Sequence, residues 1–150
     1  MKSPKDLIIT LLEGIRTDAI SDLQSKNISQ GDLGMKTQAD DDSGQLSGNH
    51  YWYFLVNGRK PGKQPPMESI LGWLEKKGIT ADIPQRSLAF LIARKIGKLG
   101  TDIYLGKRPG LALPEIIETR EKDFRKDLRE HFREQIKEQI GLSLKQLFAV

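Results

Sequence analysis

The chain has 150 residues, of which 29% are charged and 37% hydrophobic, and its net charge is +4. This length is typical of one domain that buries a core without covalent staples. The absence of cysteine excludes disulfides, thiolate metal sites and a cysteine nucleophile. The sequence shows neither a signal peptide nor an apolar run of about 18 residues, so we expect a soluble protein made in the cytoplasm.

The charge is unevenly distributed. Residues 1–56 carry five Lys/Arg and eight Asp/Glu, residues 57–111 carry eleven and four, and residues 112–150 carry eight of each. The front is therefore acidic and the middle basic. A basic middle can bind nucleic acid, or it can pair with the acidic face of a neighbouring copy.

The first predicted element is an amphipathic helix. Ser3, Pro4 and Asp6 form a typical helix start, with a capping side chain, a proline in the first turn and an acid near the positive end of the dipole. Apolar residues then recur at three- and four-residue steps, which predicts a helix that ends near Ser25.

Polar residues dominate the next region, where Leu33, Met35 and Thr37 alternate as in a half-buried strand. The following stretch, residues 40–44, has the Asp, Ser and Gly residues of a turn. Its three acids lack the order of a calcium-binding EF-hand loop, so we expect a solvated hairpin tip.

The run from Tyr51 to Val56 reads as the clearest strand, because aromatic and branched side chains fill both of its faces. Both faces should then be covered. We expect Trp52, and Trp73 of the next element, to lie in the core.

Two short helices are predicted after this strand. Two prolines, Pro65 and Pro66, precede an apolar helix that is predicted to end at Gly78. The apolar residue Ile79 follows this glycine, as in a Schellman ending. Pro84 opens a second helix, which we expect to close on Gly100 in the same manner. The two helices should form a hairpin against the strand.

The last predicted helix is long and charge-dense, and it runs from Pro114 to about Ile140. Its apolar residues recur mostly every four positions, so the stripe drifts around the axis, as in a helix that lies on a surface or packs on another subunit. The sequence does not decide whether the apolar tail, residues 141–150, is a strand or a docking segment.

The expected fold is α+β, with a small, mainly antiparallel sheet, an N-terminal helix, a two-helix insertion and this C-terminal helix. We expect one domain over residues 1–150, with its core at about 4–112 and the charged helix and tail at 113–150.

Signals for catalysis are weak. His50 and His131 lie in unrelated segments without the spacing of a zinc site, and no nucleophile elbow occurs. The loop 58–64, GRKPGKQ, departs from a phosphate-binding loop in its glycine spacing and in having Gln64 where Ser or Thr belongs. We therefore expect no enzyme, no cofactor and no metal.

The order of segments resembles the tail-completion, or neck, proteins of tailed bacteriophages. The resemblance covers residues 50–102, with the segments GRKPGKQPP, ILGWLEKKGI and LAFLIARKIGKLGT. The motif residues are Gly58, Arg59, Pro61, Gly62, Lys63, Pro65, Pro66, Ile70, Trp73, Lys77, Gly78, Ile79, Leu88, Ala89, Phe90, Ile92, Ala93, Arg94, Ile96, Gly100 and Thr101.

This resemblance implies a structural, non-enzymatic part of the head–tail connector, located in the virion. Such proteins form rings, commonly sixfold or twelvefold, which join the portal and adaptor side to the tail around the DNA channel. The expected partners are copies of the chain, portal or adaptor proteins and tail proteins, with DNA only as passing cargo and no membrane.

Cations in the two basic loops are the candidate subunit contacts: Arg59, Lys60, Lys63, Lys107 and Arg108. They would meet acids on the next subunit, or they simply keep the loops soluble. The alternative function is a basic accessory protein that binds nucleic acid with the same side chains.

Overall fold

A computed structural model describes residues 2–28 and 34–149. Within these residues the chain is a mixed α+β fold with five helices and a two-stranded antiparallel sheet, which confirms the predicted class. The elements are α1 (Pro4–Ser25), β1 (Lys36–Ala39), β2 (Gly44–Ser47), α2 (Tyr51–Asn57), α3 (Met67–Lys77), α4 (Gln85–Leu99) and α5 (Leu113–Phe148).

The contacts divide the chain into two compact units. The first contains residues up to 18, the β1–β2 hairpin and α5, and the second contains residues 19–34 and 48–112. Helix α1 contributes residues to both. No helix in the described part of the chain has the length and hydrophobicity needed to cross a bilayer.

Helix α1 begins as its sequence predicts. The Asp6 amide donates to the Ser3 hydroxyl at 3.2 Å, and the Asp6 carboxylate accepts from the Ser3 amide at 2.9 Å. This reciprocal pair is a capping box that satisfies amides left free in the first turn. The helix ends at Ser25, also as predicted.

The hairpin of the first unit lies against α1. Its tip has the predicted turn, with the Asp40 amide donating to the Ser43 carbonyl at 2.8 Å. Thr37 donates its hydroxyl to the Glu13 carboxylate at 2.7 Å, and Gly44 lies directly against Ile8. The alternating strand is thus confirmed over 36–39, whereas Leu33 lies outside the described residues.

The prediction of a strand over Tyr51–Val56 is wrong, because this run forms helix α2. A short apolar run has no period that separates a buried strand from a buried helix. Leu55 is buried, and its carbonyl accepts the Leu111 amide at 2.7 Å, whereas Tyr51 and Tyr53 remain exposed. Tertiary contacts therefore override the strand preference of the aromatic residues.

Helices α3 and α4 pack together as the predicted hairpin. Gly78 is left-handed, with φ 61° and ψ 29°, and the Ile79 amide donates to the Leu74 carbonyl, so the Schellman ending of α3 is confirmed. Helix α4 ends differently. Gly100 has φ 84° and ψ −176°, so the expectation of a matching end for α4 is wrong.

Helix α5 continues to Phe148, so the tail is helical, and an end near Ile140 was predicted too early. Its inward-facing residues recur from Leu113 to Gln135 at three- and four-residue steps. The Arg120 guanidinium makes a bidentate ion pair with Asp18 at 2.6 and 2.8 Å, and this pairing is the main cause of the lowered pKa of Asp18.

Candidate functional site

The basic loop 58–64 folds back onto the end of α4 in the second unit. The Arg59 amide donates to the Thr101 hydroxyl at 2.9 Å, and the Thr101 amide donates to the Arg59 carbonyl at 2.9 Å. The Gly62 amide donates to the Gly97 carbonyl at 2.8 Å. Two segments of the predicted motif, about 40 residues apart in the chain, therefore form one hydrogen-bonded surface, which we call the loop platform (residues 58–64 and 97–104).

Two glycines make this close approach possible. Gly58 has φ 72°, and a Cβ there would collide with the backbone of Tyr104. A Cβ on Gly100 would lie 2.7 Å from the Arg59 carbonyl oxygen. Both positions combine a positive φ with missing space, so only glycine fits without strain.

Arg59 is used within the platform. Its guanidinium donates to the Lys63 carbonyl at 3.0 Å and lies 5.8 Å from the centre of the Phe54 ring. A cation in this position stabilises the loop against α2. Of the predicted contact residues, Arg59 is therefore the one that holds the loop in shape.

The lysines of the platform point outward. Lys60 and Lys63 are exposed, and neither forms an ion pair with any residue that the structure describes. Lys107, in the second basic loop, has the same status. Of the five candidate contact cations, these three ammonium groups remain available to a partner.

Arg108 has an intramolecular role that the sequence did not suggest. Its guanidinium donates to the carbonyls of Lys26 at 2.8 Å and Asn27 at 3.1 Å, and Lys77 also donates to the Asn27 carbonyl. These carbonyls lie at the C-terminal end of α1, where the helix dipole attracts positive charge. Two cations from distant positions thus cap one helix.

Asp22 lies at the centre of a second network beside this cap. Its carboxylate accepts from Lys26 at 2.8 Å and from the Ala112 amide at 2.9 Å, and Lys26 also donates to the Gly110 carbonyl. Burial opposes the ionisation of Asp22, but these hydrogen bonds outweigh it and hold its pKa below the ordinary value of 3.8. The only local signal was the i,i+4 spacing of Asp22 and Lys26.

The remaining motif residues lie outside the platform's hydrogen bonds. Pro66 immediately precedes α3, Gly78 ends it, and Trp73 lies on its surface. Trp73 is 36% exposed, so its expected place in the core is wrong, whereas Trp52 is half-buried with its indole ring over Gly48.

The candidate ligand sites are sparse. Within the described residues no group of three His, Asp or Glu side chains could hold a metal ion. His131 is buried in α5 with its Nε2 unpaired among those residues, and His50 is exposed before α2. An open, apolar groove of about 520 Å³ is lined by Met67, Ile83, Arg86, Ser87, Phe90 and Leu91.

Comparisons of the chain with models of protein families, with curated proteins and with solved structures found no match.

Proposed function

We propose that this chain is a structural subunit of a tailed-phage head–tail connector, a ring that joins the portal or adaptor side to the tail around the DNA channel. The observation that carries the proposal is the loop platform. It unites the GRKPGK and GKLGT segments, on which the resemblance to neck proteins depends, through the hydrogen bonds of Arg59, Thr101, Gly62 and Gly97.

A ring requires a contact between two different surfaces of the same subunit, because a head-to-tail arrangement closes only when unlike patches meet. The loop platform offers one such surface with Lys60 and Lys63. The hairpin tip offers the other, since Asp40, Asp41 and Asp42 are all exposed. In the proposed ring, the lysines of one copy meet the acids of the next.

The shape of the loop supports this role. Lys60 and Pro61 lie between two anchored ends, the Arg59–Thr101 pair and the Gly62–Gly97 hydrogen bond. A loop already held in one conformation loses little entropy when it binds. An exposed ion pair contributes only about 0–1 kcal/mol, so repetition around a ring and docking on a neighbouring protein would supply the remaining stability.

A second candidate function uses the same side chains. The unpaired ammonium groups of Lys60, Lys63 and Lys107 can bind phosphate, and residues 57–111 carry a net charge of +7. This favours a nucleic-acid-binding accessory protein as the alternative. Its affinity for DNA would fall steeply with salt, in proportion to the number of phosphates contacted.

Charge reversal in the loop separates the two functions. We expect Lys60→Glu with Lys63→Glu to leave the fold intact, because both side chains are exposed, and to reduce incorporation into particles at least about tenfold. Mass spectrometry of purified virions gives the copy number of the chain relative to the portal protein. The matched control is Lys76→Glu, an equally exposed lysine on α3.

For a connector, the parent chain shows a small constant ratio to the portal protein, and the double variant loses incorporation without any change in DNA affinity. Loss of salt-dependent DNA binding together with normal incorporation would favour the nucleic-acid binder. Absence of the parent chain from mature particles would exclude the connector.

A further inference from the structure

The C-terminal half of α5 exposes an apolar stripe. Its members are Phe132, Ile136, Ile140, Leu144, Leu147 and Phe148, with exposed fractions between 48% and 83%. Among the described residues from 136 to 149, all except Gly141 are exposed. This end of the helix therefore has no cover within the described chain.

The stripe lies on a different side of α5 from the packed face. The packed face runs from Leu113 to Gln135. At about 100° per residue, the centre of the exposed stripe lies about 170° around the axis from the centre of the packed face. The drift comes from the four-residue spacing, which exceeds one helical turn. The contacts that bury the first part of α5 cannot cover the stripe without unwinding the helix.

The area of the stripe matches that of a stable interface. A fully exposed Leu, Ile or Phe residue has on the order of 200 Å², so the exposed fractions correspond to about 700 Å² per copy. Two copies would bury at most about 1,400 Å² from these side chains, which reaches the range of about 1,200–2,000 Å² for specific interfaces. A second copy of the same stripe is thus an adequate cover.

The charges on α5 select the direction of this pairing. Lys126, Arg129 and Arg133 lie on the same side of the helix as the stripe and form no ion pair with a described residue. Parallel pairing would place these cations against their counterparts, which is unfavourable. Antiparallel pairing about Ile140 places them at opposite ends and opposes Ile136 to Leu144.

We propose that two copies of the chain associate through the exposed stripe of α5 in an antiparallel helix pair. The contact uses no residue of the loop platform, so it goes beyond the proposed ring function and can fail or succeed independently of it.

Because the chain has no cysteine, single cysteine variants can report the geometry. Under mild oxidation we expect Ile140→Cys to form a disulfide-linked dimer with itself. Ile136→Cys and Leu144→Cys should form one only when the two variants are mixed. Dimerisation of Ile136→Cys with itself, at the rate of Ile140→Cys, would indicate parallel pairing and overturn the proposal.

Light scattering of the unmodified chain should give twice the mass of 16.9 kDa. Ile140→Ser with Leu144→Ser should raise the dissociation constant of the pair at least tenfold, or about 1.4 kcal/mol. The matched control, Phe90→Ser with Leu91→Ser, removes equally exposed apolar groups from α4 and should leave the dimer intact. A monomeric parent, or a dimer unaffected by the α5 changes, refutes the pairing. Lys60→Glu with Lys63→Glu should not alter the dimer, whatever its effect on particles.

Discussion

The Asp22 carboxylate connects positions that are far apart in the chain. It accepts hydrogen bonds from Lys26 and from the Ala112 amide, 90 residues away, and it is about one-fifth exposed. Hydrogen bonds to a charged group are stronger than those between neutral groups. The loss of the Asp22 carboxylate should therefore be measurable in the stability of the chain.

We expect Asp22→Asn to lower the free energy of unfolding by about 1.5–3 kcal/mol at neutral pH. The pKa of Asp22 is lower in the folded chain, so the unfolded chain binds more protons in the acid range. Its contribution is complete above the ordinary pKa of 3.8 and is lost as the pH falls through the lowered folded value. Urea unfolding at a series of pH values should show the gap between parent and variant closing in acid.

The control for this series is Asp82→Asn, which changes an exposed aspartate without a described ion pair. It should change stability by less than about 0.5 kcal/mol at any pH. A gap for Asp22→Asn that persists unchanged into acid would mean that the carboxylate charge is not what stabilises the network.

Residues whose partners are distant in the chain could not be assigned a role from the sequence. The cap on α1 uses Arg108 and Lys77, and neither position carries a local signal that it will meet Asn27. The sequence identified Arg108 as a charge available to a partner, whereas the structure uses that charge internally. Side-chain contacts across 50 to 82 residues depend on the packing of whole elements, which periodicity does not describe.

Among the elements, helices with strong periods and explicit end signals were predicted well. Helix α1 has both of its predicted ends, and α3 ends with the predicted Schellman geometry at Gly78. Helix α2 was missed because six apolar or aromatic residues in a row have no period that distinguishes a helix from a strand. For α4, the position of the end at Gly100 was predicted correctly, but the reason for the glycine was not. Glycine is required there because the Arg59 carbonyl lies close to it, rather than to form a left-handed cap.

This difference between glycines has a measurable consequence. Gly100→Ala should lower the free energy of unfolding by at least about 2 kcal/mol, because the φ of 84° is strained for alanine and the new Cβ meets the Arg59 carbonyl. Gly72→Ala, in the middle of α3 with no neighbour within 4 Å, should raise it by about 0.5–1 kcal/mol. Denaturant unfolding of both variants checks the pair. Equal stability of Gly100→Ala and the parent would show that the platform relaxes without loss.

At the scale of the whole molecule, the α+β class and the order of four of the five described helices could be predicted from the sequence. The distribution of charge in the sequence identified a basic middle segment. It did not distinguish Lys60 and Lys63, which face outward, from Arg59 and Arg108, which form hydrogen bonds within the chain. The contact between residues 58–64 and 97–104 likewise depends on a fold in which α3 and α4 turn back as a hairpin. The resemblance grouped these segments without giving their geometry.

The stability of the whole molecule should depend little on the end of α5. A chain that stops after Gln135 loses only residues that lack inward-facing contacts, so we expect its free energy of unfolding to change by less than about 0.5 kcal/mol. The free energy of unfolding should be measured at high dilution, where association between copies of the chain does not add to the stability. Leu12→Ala, a change at a buried position of α1, should by comparison cost about 2–5 kcal/mol. A large loss on truncation would show that residues 136–149 are covered.

The length of the uncovered helix has a kinetic consequence. Isolated helices shorter than about 12–15 residues are marginal in water, and the free part of α5 beyond Gln135 has only 13 residues up to Phe148. This segment is helical because it extends turns that are already packed. The unfavourable free energy of nucleating a helix does not arise again, and each further residue adds one backbone hydrogen bond. The end should therefore fray inward from Phe148, with amide hydrogens that exchange rapidly until a partner covers the stripe. Hydrogen exchange in this one segment would then measure occupancy of the stripe directly, as a protection that rises with protein concentration.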